Sequence, residues 1–263
     1  MKKISFLIYL FFAITMVSFA QLYEAKFNGK LLTTDQFGNF YEVSSNQIKK
    51  YNLKGELVFT YSNNILGEIT SVDPSNPLKI LVYFNDFTKI LTLDDALSPW
   101  GEVVNLNDLN LEETSLVCSS YNYGVWYYNP LKFQLTRVQN NTVSNVSSNI
   151  STLLNLNIQP NYIVEENDKV FLNDPKNGIL VFDVYGTYLK TIPVYGLKSF
   201  QVKEKYLVYV NDQKQVETYH FFSLEKATYK ADKYKNVKTV RIERSNIYIL
   251  NENNQLIIDK IVL

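Results

Sequence analysis

One pattern of strands recurs along this chain about every 40 residues. The clearest copy runs from Lys30 to Ser62, where four short strands follow one another with Gly, Asn or Lys-Gly at the joins: LLTTDQF, GNFYEVSS, QIKKYNLKG and ELVFTYS. Six such units can be traced, and their strands are rich in β-branched and aromatic residues and are bounded by turn residues. A four-stranded repeat of this length is typical of one blade of a β-propeller.

The two ends of the repeat predict how the ring closes. The sixth unit has only three strands, whereas one additional strand, Leu22 to Phe27, precedes the first unit. Pairing that strand with the last unit completes six four-stranded blades and leaves no open sheet edge at the junction. We therefore predict an all-β fold, a six-bladed β-propeller closed by the N-terminal strand Leu22 to Phe27 joining the last blade.

The third unit departs from the others. Its last strand is predicted at STLLNLN, after the polar insertion NNTVSNVSSN, and no helical stretch competes with the strand pattern in any unit.

The N-terminus predicts export. Lys2 and Lys3 precede an apolar run from Ile4 to Phe19, and small residues, Ser18 and Ala20, stand just before Gln21. We expect a cleaved signal peptide over residues 1–20, in preference to the alternative of a retained membrane anchor, followed by a single propeller domain over residues 21–263. No cysteine follows the apolar run, so no lipid anchor is expected, and no membrane span remains after cleavage. The expected location is the periplasm or another part of the cell envelope.

Composition narrows the function classes. The chain has 26 basic and 26 acidic residues, and this balance disfavours nucleic acid as a partner. Its single histidine, His220, excludes metal sites built from two or three imidazoles. Its single cysteine, Cys118, lies in the apolar run SLVCSS and is interpreted as a core residue. We predict no catalytic residue, no cofactor and no metal site.

Carboxylates remain the one route to hydrolysis, because a glycosidase needs only a pair of them. Asp86, Asp174 and Asp212 each follow the second strand of a unit in an Asn-Asp pair, and Asp94 and Asp95 end another strand. Such residues are also ordinary turn formers, because their side chains bond to their own backbone. Both interpretations stay open, and the turn interpretation is favoured.

Apolar residues in the loops suggest a surface for a protein partner. In a propeller, the hairpin between the second and third strands opens on the same face as the connection to the next blade. The loops of this face carry six apolar residues, which are the predicted partner-facing residues: Ile65, Leu66, Phe87, Leu131, Phe133 and Tyr195. The alternative is that each folds back over the edge of its own blade. A run from Tyr121 to Tyr128 alternates aromatic residues and is interpreted as packing in preference to a sugar platform.

Two segments, Lys30 to Ser62 and Lys169 to Val194, resemble the blades of NHL-type six-bladed propellers. The stretch DPSNPLKILVYFNDFTKILTLDDALSPWGEVVNL and the predicted leader also resemble exported propellers of gliding-type bacteria. These include the periplasmic plug subunits of the type IX secretion translocon. The resemblance implies a propeller that covers the periplasmic mouth of an outer-membrane translocon by steric obstruction.

The expected function is therefore non-catalytic: an exported propeller that binds or plugs an envelope protein or outer-membrane complex. The alternative is a carbohydrate-active or lactone-hydrolysing enzyme that uses carboxylates in the central channel.

Overall fold

Six small antiparallel sheets of four strands each form the fold, which confirms the predicted all-β, six-bladed propeller. The computed structural model describes residues 22–230 and 232–261. The predicted signal peptide lies outside the described residues.

Each blade follows the chain from its innermost to its outermost strand, except the last. Its four strands are β22, β23, β24 and, outermost, β1. The strand bounds are β1 Tyr23–Lys26, β2 Leu31–Thr34, β3 Phe40–Val43, β4 Gln47–Tyr51, β5 Leu57–Ser62, β6 Ser71–Asp73, β7 Ile80–Phe84, β8 Lys89–Leu93, β9 Val104–Asn105, β10 Leu116–Ser120, β11 Gly124–Asn129, β12 Gln134–Gln139, β13 Thr142–Val146, β14 Tyr162–Glu166, β15 Lys169–Asp174, β16 Gly178–Asp183, β17 Tyr188–Ile192, β18 Phe200–Lys203, β19 Tyr206–Val210, β20 Val216–His220, β21 Lys226–Thr228, β22 Val237–Glu243, β23 Asn246–Asn251 and β24 Gln255–Lys260.

Strand β1 closes the ring as the sequence predicts. It pairs with β24 in an antiparallel register that places Tyr23 opposite Ile258. The backbone N–H groups of Leu22 and Phe27 extend the pairing, donating to carbonyl oxygens of Ile258 at 2.9 Å and Asn254 at 2.8 Å. Phe27 is 2% exposed and packs in the core between the last and first blades. Backbone pairing and apolar burial therefore both hold the junction.

The third blade differs from the sequence interpretation. Its outermost strand is β13, within the segment taken for a polar insertion, and the first four residues of STLLNLN instead lie in the helix α1, Ile150–Leu154. The side chain of Asn149 accepts a hydrogen bond from the backbone N–H of Thr152 at 2.8 Å and caps this helix. Because β13 is largely exposed, polar residues suit it, and its strand signal is weak.

Apolar side chains fill the seams between neighbouring blades. The second strands are covered on both sides, and all five residues of β7 are buried. We call the face that carries the second hairpins and the blade connections the upper face. The lower face carries the first and third hairpins of each blade. The innermost strands run from the upper to the lower face and line the central channel.

Candidate functional site

Four of the predicted partner-facing residues are exposed on the upper face. Ile65 is 83% exposed, Leu131 68%, Tyr195 56% and Phe87 53%. They stand on connections and hairpins of successive blades. Leu153 of α1, at 54% exposed, lies on the same face between Leu131 and Tyr195 in chain order. We call these five residues the upper-face arc.

The other two predicted partner-facing residues are buried or half-buried. Leu66 is 7% exposed and lies in the core between the first two blades. Phe133 is half-buried against the core of the third and fourth blades. Each folds back over its own blade, which is the alternative weighed for these loops.

One part of the arc is drawn together by specific contacts. The backbone N–H of Glu68 donates to Oδ2 of Asp86 at 3.2 Å, which ties the first blade connection to the second hairpin of the next blade. The ring of Phe87 packs on Gly67, where a β-carbon would come within 2.9 Å of Cδ2. Ile65 and Phe87 therefore stand on adjoining loops.

Two of the five carboxylates singled out in the sequence, Asp174 and Asp94, serve turns, and Asp86 instead accepts from the backbone N–H of Glu68. Asp174 is fully buried, and its Oδ1 accepts the backbone N–H groups of Lys176 and Asn177, both at 2.9 Å. Oδ1 of Asp94 accepts those of Ala96 at 3.0 Å and Ser98 at 2.7 Å. The turn interpretation is confirmed for these two residues.

The single histidine and the single cysteine are both accounted for by local structure. Nδ1 of His220 lies 3.0 Å from the backbone nitrogen of Ser223, inside a hairpin. Cys118 is 1% exposed, and burial raises the pKa of its thiol. The core interpretation of Cys118 is confirmed.

The aromatic run of the third blade divides into two groups. Trp126, Tyr127 and Tyr128 are buried, as the packing interpretation predicts. Tyr121 and Tyr123 are exposed on the lower face. The ammonium of Lys79 lies 3.6 Å from the ring centroid of Tyr123 and 4.0 Å from that of Trp100, so this aromatic pair already holds a cation.

The central channel contains a cavity of about 260 Å³ that the sequence did not reveal. Inner strands or first hairpins of five blades contribute to its wall. Its charged and phenolic lining residues are Asp73, Tyr162, Glu166, Lys203, Arg241 and Glu243. The alternation of polar residues along FQVK and VRIE was the one available signal for this lining.

Glu243 joins three blades at the lower end of the channel. It is 4% exposed, and its Oε1 accepts from Oγ1 of Thr34 at 2.8 Å and Nε2 of Gln201 at 2.7 Å. Its Oε2 accepts from Nζ of Lys203, also at 2.7 Å. This carboxylate is fully engaged within the protein.

Arg241 lies deeper in the channel than Glu243 and forms fewer hydrogen bonds. It is 7% exposed, and within the described residues its one hydrogen bond runs from Nη1 to the backbone carbonyl of Val240, at 3.2 Å. It forms no ion pair with any described carboxylate. Burial raises the pKa of Tyr162, and the nearby Arg241 guanidinium opposes that rise, which places the phenol within electrostatic reach of the cation.

Glu166 is a second unsatisfied group in the same cavity. It is half-buried and has no hydrogen bond or ion pair to any described side chain. Burial raises its pKa, Lys203 opposes the rise, and the carboxylates of Glu243 and Asp73 add to it. Asp73, by contrast, accepts the backbone N–H groups of Ser75 and Ser119.

Two further properties bear on function. Within the described ranges, no three His, Cys, Asp or Glu side chains are grouped so that they could hold a metal ion. In that same part of the chain, no helix has the length and apolar character needed to cross a bilayer.

The six sheets and their closure into a ring define a six-bladed β-propeller. Comparison with solved structures agrees. BBS1N, solved in complex with ARL6DN, aligns with a TM-score of 0.58 at 12% identity, covering 88% of this chain and 77% of that one. Streptogramin B lyase aligns with a TM-score of 0.57 at 12% identity, covering 92% and 88%. No protein-family model and no curated protein matches the sequence. At such identities the likeness shows the fold alone.

Proposed function

We propose that this chain is a non-catalytic, exported propeller that acts as a binding or plugging subunit of a cell-envelope complex. The observation that carries the proposal is the upper-face arc, in which five large apolar side chains stand exposed on loops of successive blades. The lower face also carries exposed apolar residues, such as Phe222 and Leu224, but the loops of Ile65 and Phe87 are tied together by specific contacts, and grouped apolar residues are typical of a protein-binding surface. BBS1N, which shares the fold, was solved with a protein partner.

The resemblance to exported propellers of gliding-type bacteria suggests which partner to test first. An outer-membrane protein-secretion translocon presents a periplasmic mouth that a rigid disc could cover. A closed propeller suits that task, because its loops can present apolar anchors while the sheets keep their shape.

The test is co-purification from native envelopes. Wild-type protein should bring down a stoichiometric envelope partner, and the double variant Ile65→Asp/Tyr195→Asp should lose it, because a charge cannot be buried unpaired at the contact. Phe222→Asp is the matched control: Phe222 is 76% exposed, but it stands on the lower face. Equal recovery of the partner with all three proteins would contradict docking through the upper-face arc.

A carbohydrate-active or lactone-hydrolysing enzyme is the second proposal. The observation in its favour is that Glu166, whose pKa is raised by burial, and Asp73 line one cavity, as an acid and a base would. Turnover of a glycan or lactone panel that is lost in Glu166→Gln would support the enzyme. Absence of turnover in the wild type would contradict it.

A further inference from the structure

The strongest unexplained feature is the charge of Arg241. The Arg241 side chain is 7% exposed and has no carboxylate partner among the described residues, which is unusual because a buried arginine is generally paired. Its planar fork carries five N–H donors, and within the described residues one of them reaches an acceptor. Arg241 lines the channel cavity of about 260 Å³ and also borders a second cavity between the fifth and sixth blades.

Glu166 is the complementary feature at the other end of that cavity. Arg241 and Glu166 line the same cavity, yet they form no ion pair with each other. The neighbouring charges do not substitute, because Lys203 and Glu243 neutralise one another at 2.7 Å. Among the described residues, the cavity therefore holds one basic and one acidic side chain, Arg241 and Glu166, that form no ion pair.

Strand geometry sets their difference in depth along the channel. Glu166 is the last residue of β14 and Glu243 the last residue of β22, so both mark the lower mouth of the channel. Arg241 stands two residues before Glu243 on the same side of its strand, which places it about 7 Å deeper. Tyr162, at the start of β14, brings a phenol into the deeper part.

We propose that the channel binds a small zwitterion that enters from the lower face. Its carboxylate accepts hydrogen bonds from the Arg241 guanidinium and the Tyr162 hydroxyl, and its ammonium is held by Glu166, with Asp73 beside it. An ω-amino acid with a short alkyl spacer is the simplest ligand that carries a carboxylate and an ammonium at opposite ends. A guanidinium is suited to the carboxylate end, because its fork can donate two parallel hydrogen bonds. This site is separate from the upper-face arc.

The test is calorimetric titration of the protein without residues 1–20 with 5-aminopentanoate, at a pH above the raised pKa of Glu166. Pentanoate and n-pentylamine, each of which lacks one of the two charges, are the matched ligands. We expect 5-aminopentanoate to bind at least tenfold more tightly than either. Binding should fall at least tenfold in Arg241→Met and in Glu166→Gln, whereas Arg241→Lys should retain part of it because it keeps the positive charge.

Glu252→Gln, on the upper face, is the control and should bind like the wild type. Thermal melting of each variant checks its fold, and Glu166→Gln preserves the shape of the side chain should Arg241→Met fail to fold. The proposal is overturned if the wild type shows no binding, or if pentanoate binds as tightly as the amino acid. Unchanged affinity in Glu166→Gln also overturns it.

Discussion

Two glutamates at the lower mouth of the channel, Glu243 and Glu166, have different roles. Glu243 accepts three hydrogen bonds from three other side chains and joins the first, fifth and sixth blades. Its removal would leave Lys203 and two polar groups without their acceptor, which is typical of strongly destabilising substitutions. Glu166 lines the same cavity without such partners, so it contributes a titratable group where Glu243 contributes rigidity.

Glu166 should make stability depend on pH. Burial first, and then the charges of Glu243, Asp73 and Glu165, raise its pKa against the opposing Lys203, so between the ordinary glutamate pKa and the raised value the folded protein holds a proton that the unfolded chain has released, and above the raised value Glu166 is a carboxylate. Its stabilising contribution is complete below the ordinary glutamate pKa and is lost as pH rises through the raised value. Glutamine does not titrate, so the Glu166→Gln variant does not lose this contribution as pH rises.

Urea unfolding of the wild type and Glu166→Gln at a series of pH values measures this effect. The difference in unfolding free energy should shift in favour of the variant as pH rises from about 4 through the raised pKa. Glu112→Gln, at an exposed position, is the matched control. A difference between wild type and Glu166→Gln that is independent of pH would contradict the assignment.

At the scale of elements, the sequence predicts repeated buried strands well and exposed or irregular ones poorly. Central strands such as β7 are marked by continuous β-branched and aromatic residues, because both of their faces are covered. The outer strand β13 is largely exposed, so its polar residues resembled a loop. The helix α1 has five residues, too few for a clear helical period.

The channel site was missed for a related reason. Arg241 and Glu166 lie on different blades, and nothing in the sequence states which residues of distant units face each other across the ring. Four of the five residues of the upper-face arc could be predicted because topology alone assigns a loop to a face, whereas Leu153 was missed because its segment was predicted as a strand. Topology does not predict whether a loop side chain is exposed, and Leu66 is buried.

The helix α1 gives a test of the corrected third blade. The side chain of Asn149 accepts from Thr152 N–H at 2.8 Å and donates to the carbonyl of Lys132 at 2.9 Å, which ties the helix to the second hairpin of the same blade. Asn149→Ala should lower the unfolding free energy by about 1–2 kcal/mol. Denaturant unfolding measures this, with the exposed neighbour Ser148→Ala as control; equal stability of the two variants would contradict the cap.

For the whole molecule, the ring is one unit because its ends belong to one sheet. The chain travels once around the channel, and β1 then supplies the outermost strand of the blade that contains β22 to β24. Without that strand, β24 would expose an unpaired edge and the seam between the last and first blades would lose Phe27. Both proposed sites depend on this closure, because it fixes the loops of the upper face and the residues that meet across the channel.

Deletion of Leu22 to Phe27 tests that closure most directly. Loss of the buried Phe27 side chain alone should cost about 3–5 kcal/mol, and the unpaired edge of β24 should promote aggregation. We therefore predict a large fall in the melting temperature, reversed by adding a synthetic peptide of residues 22–27 but not a scrambled peptide. An unchanged melting temperature in the truncated protein would contradict the closed ring.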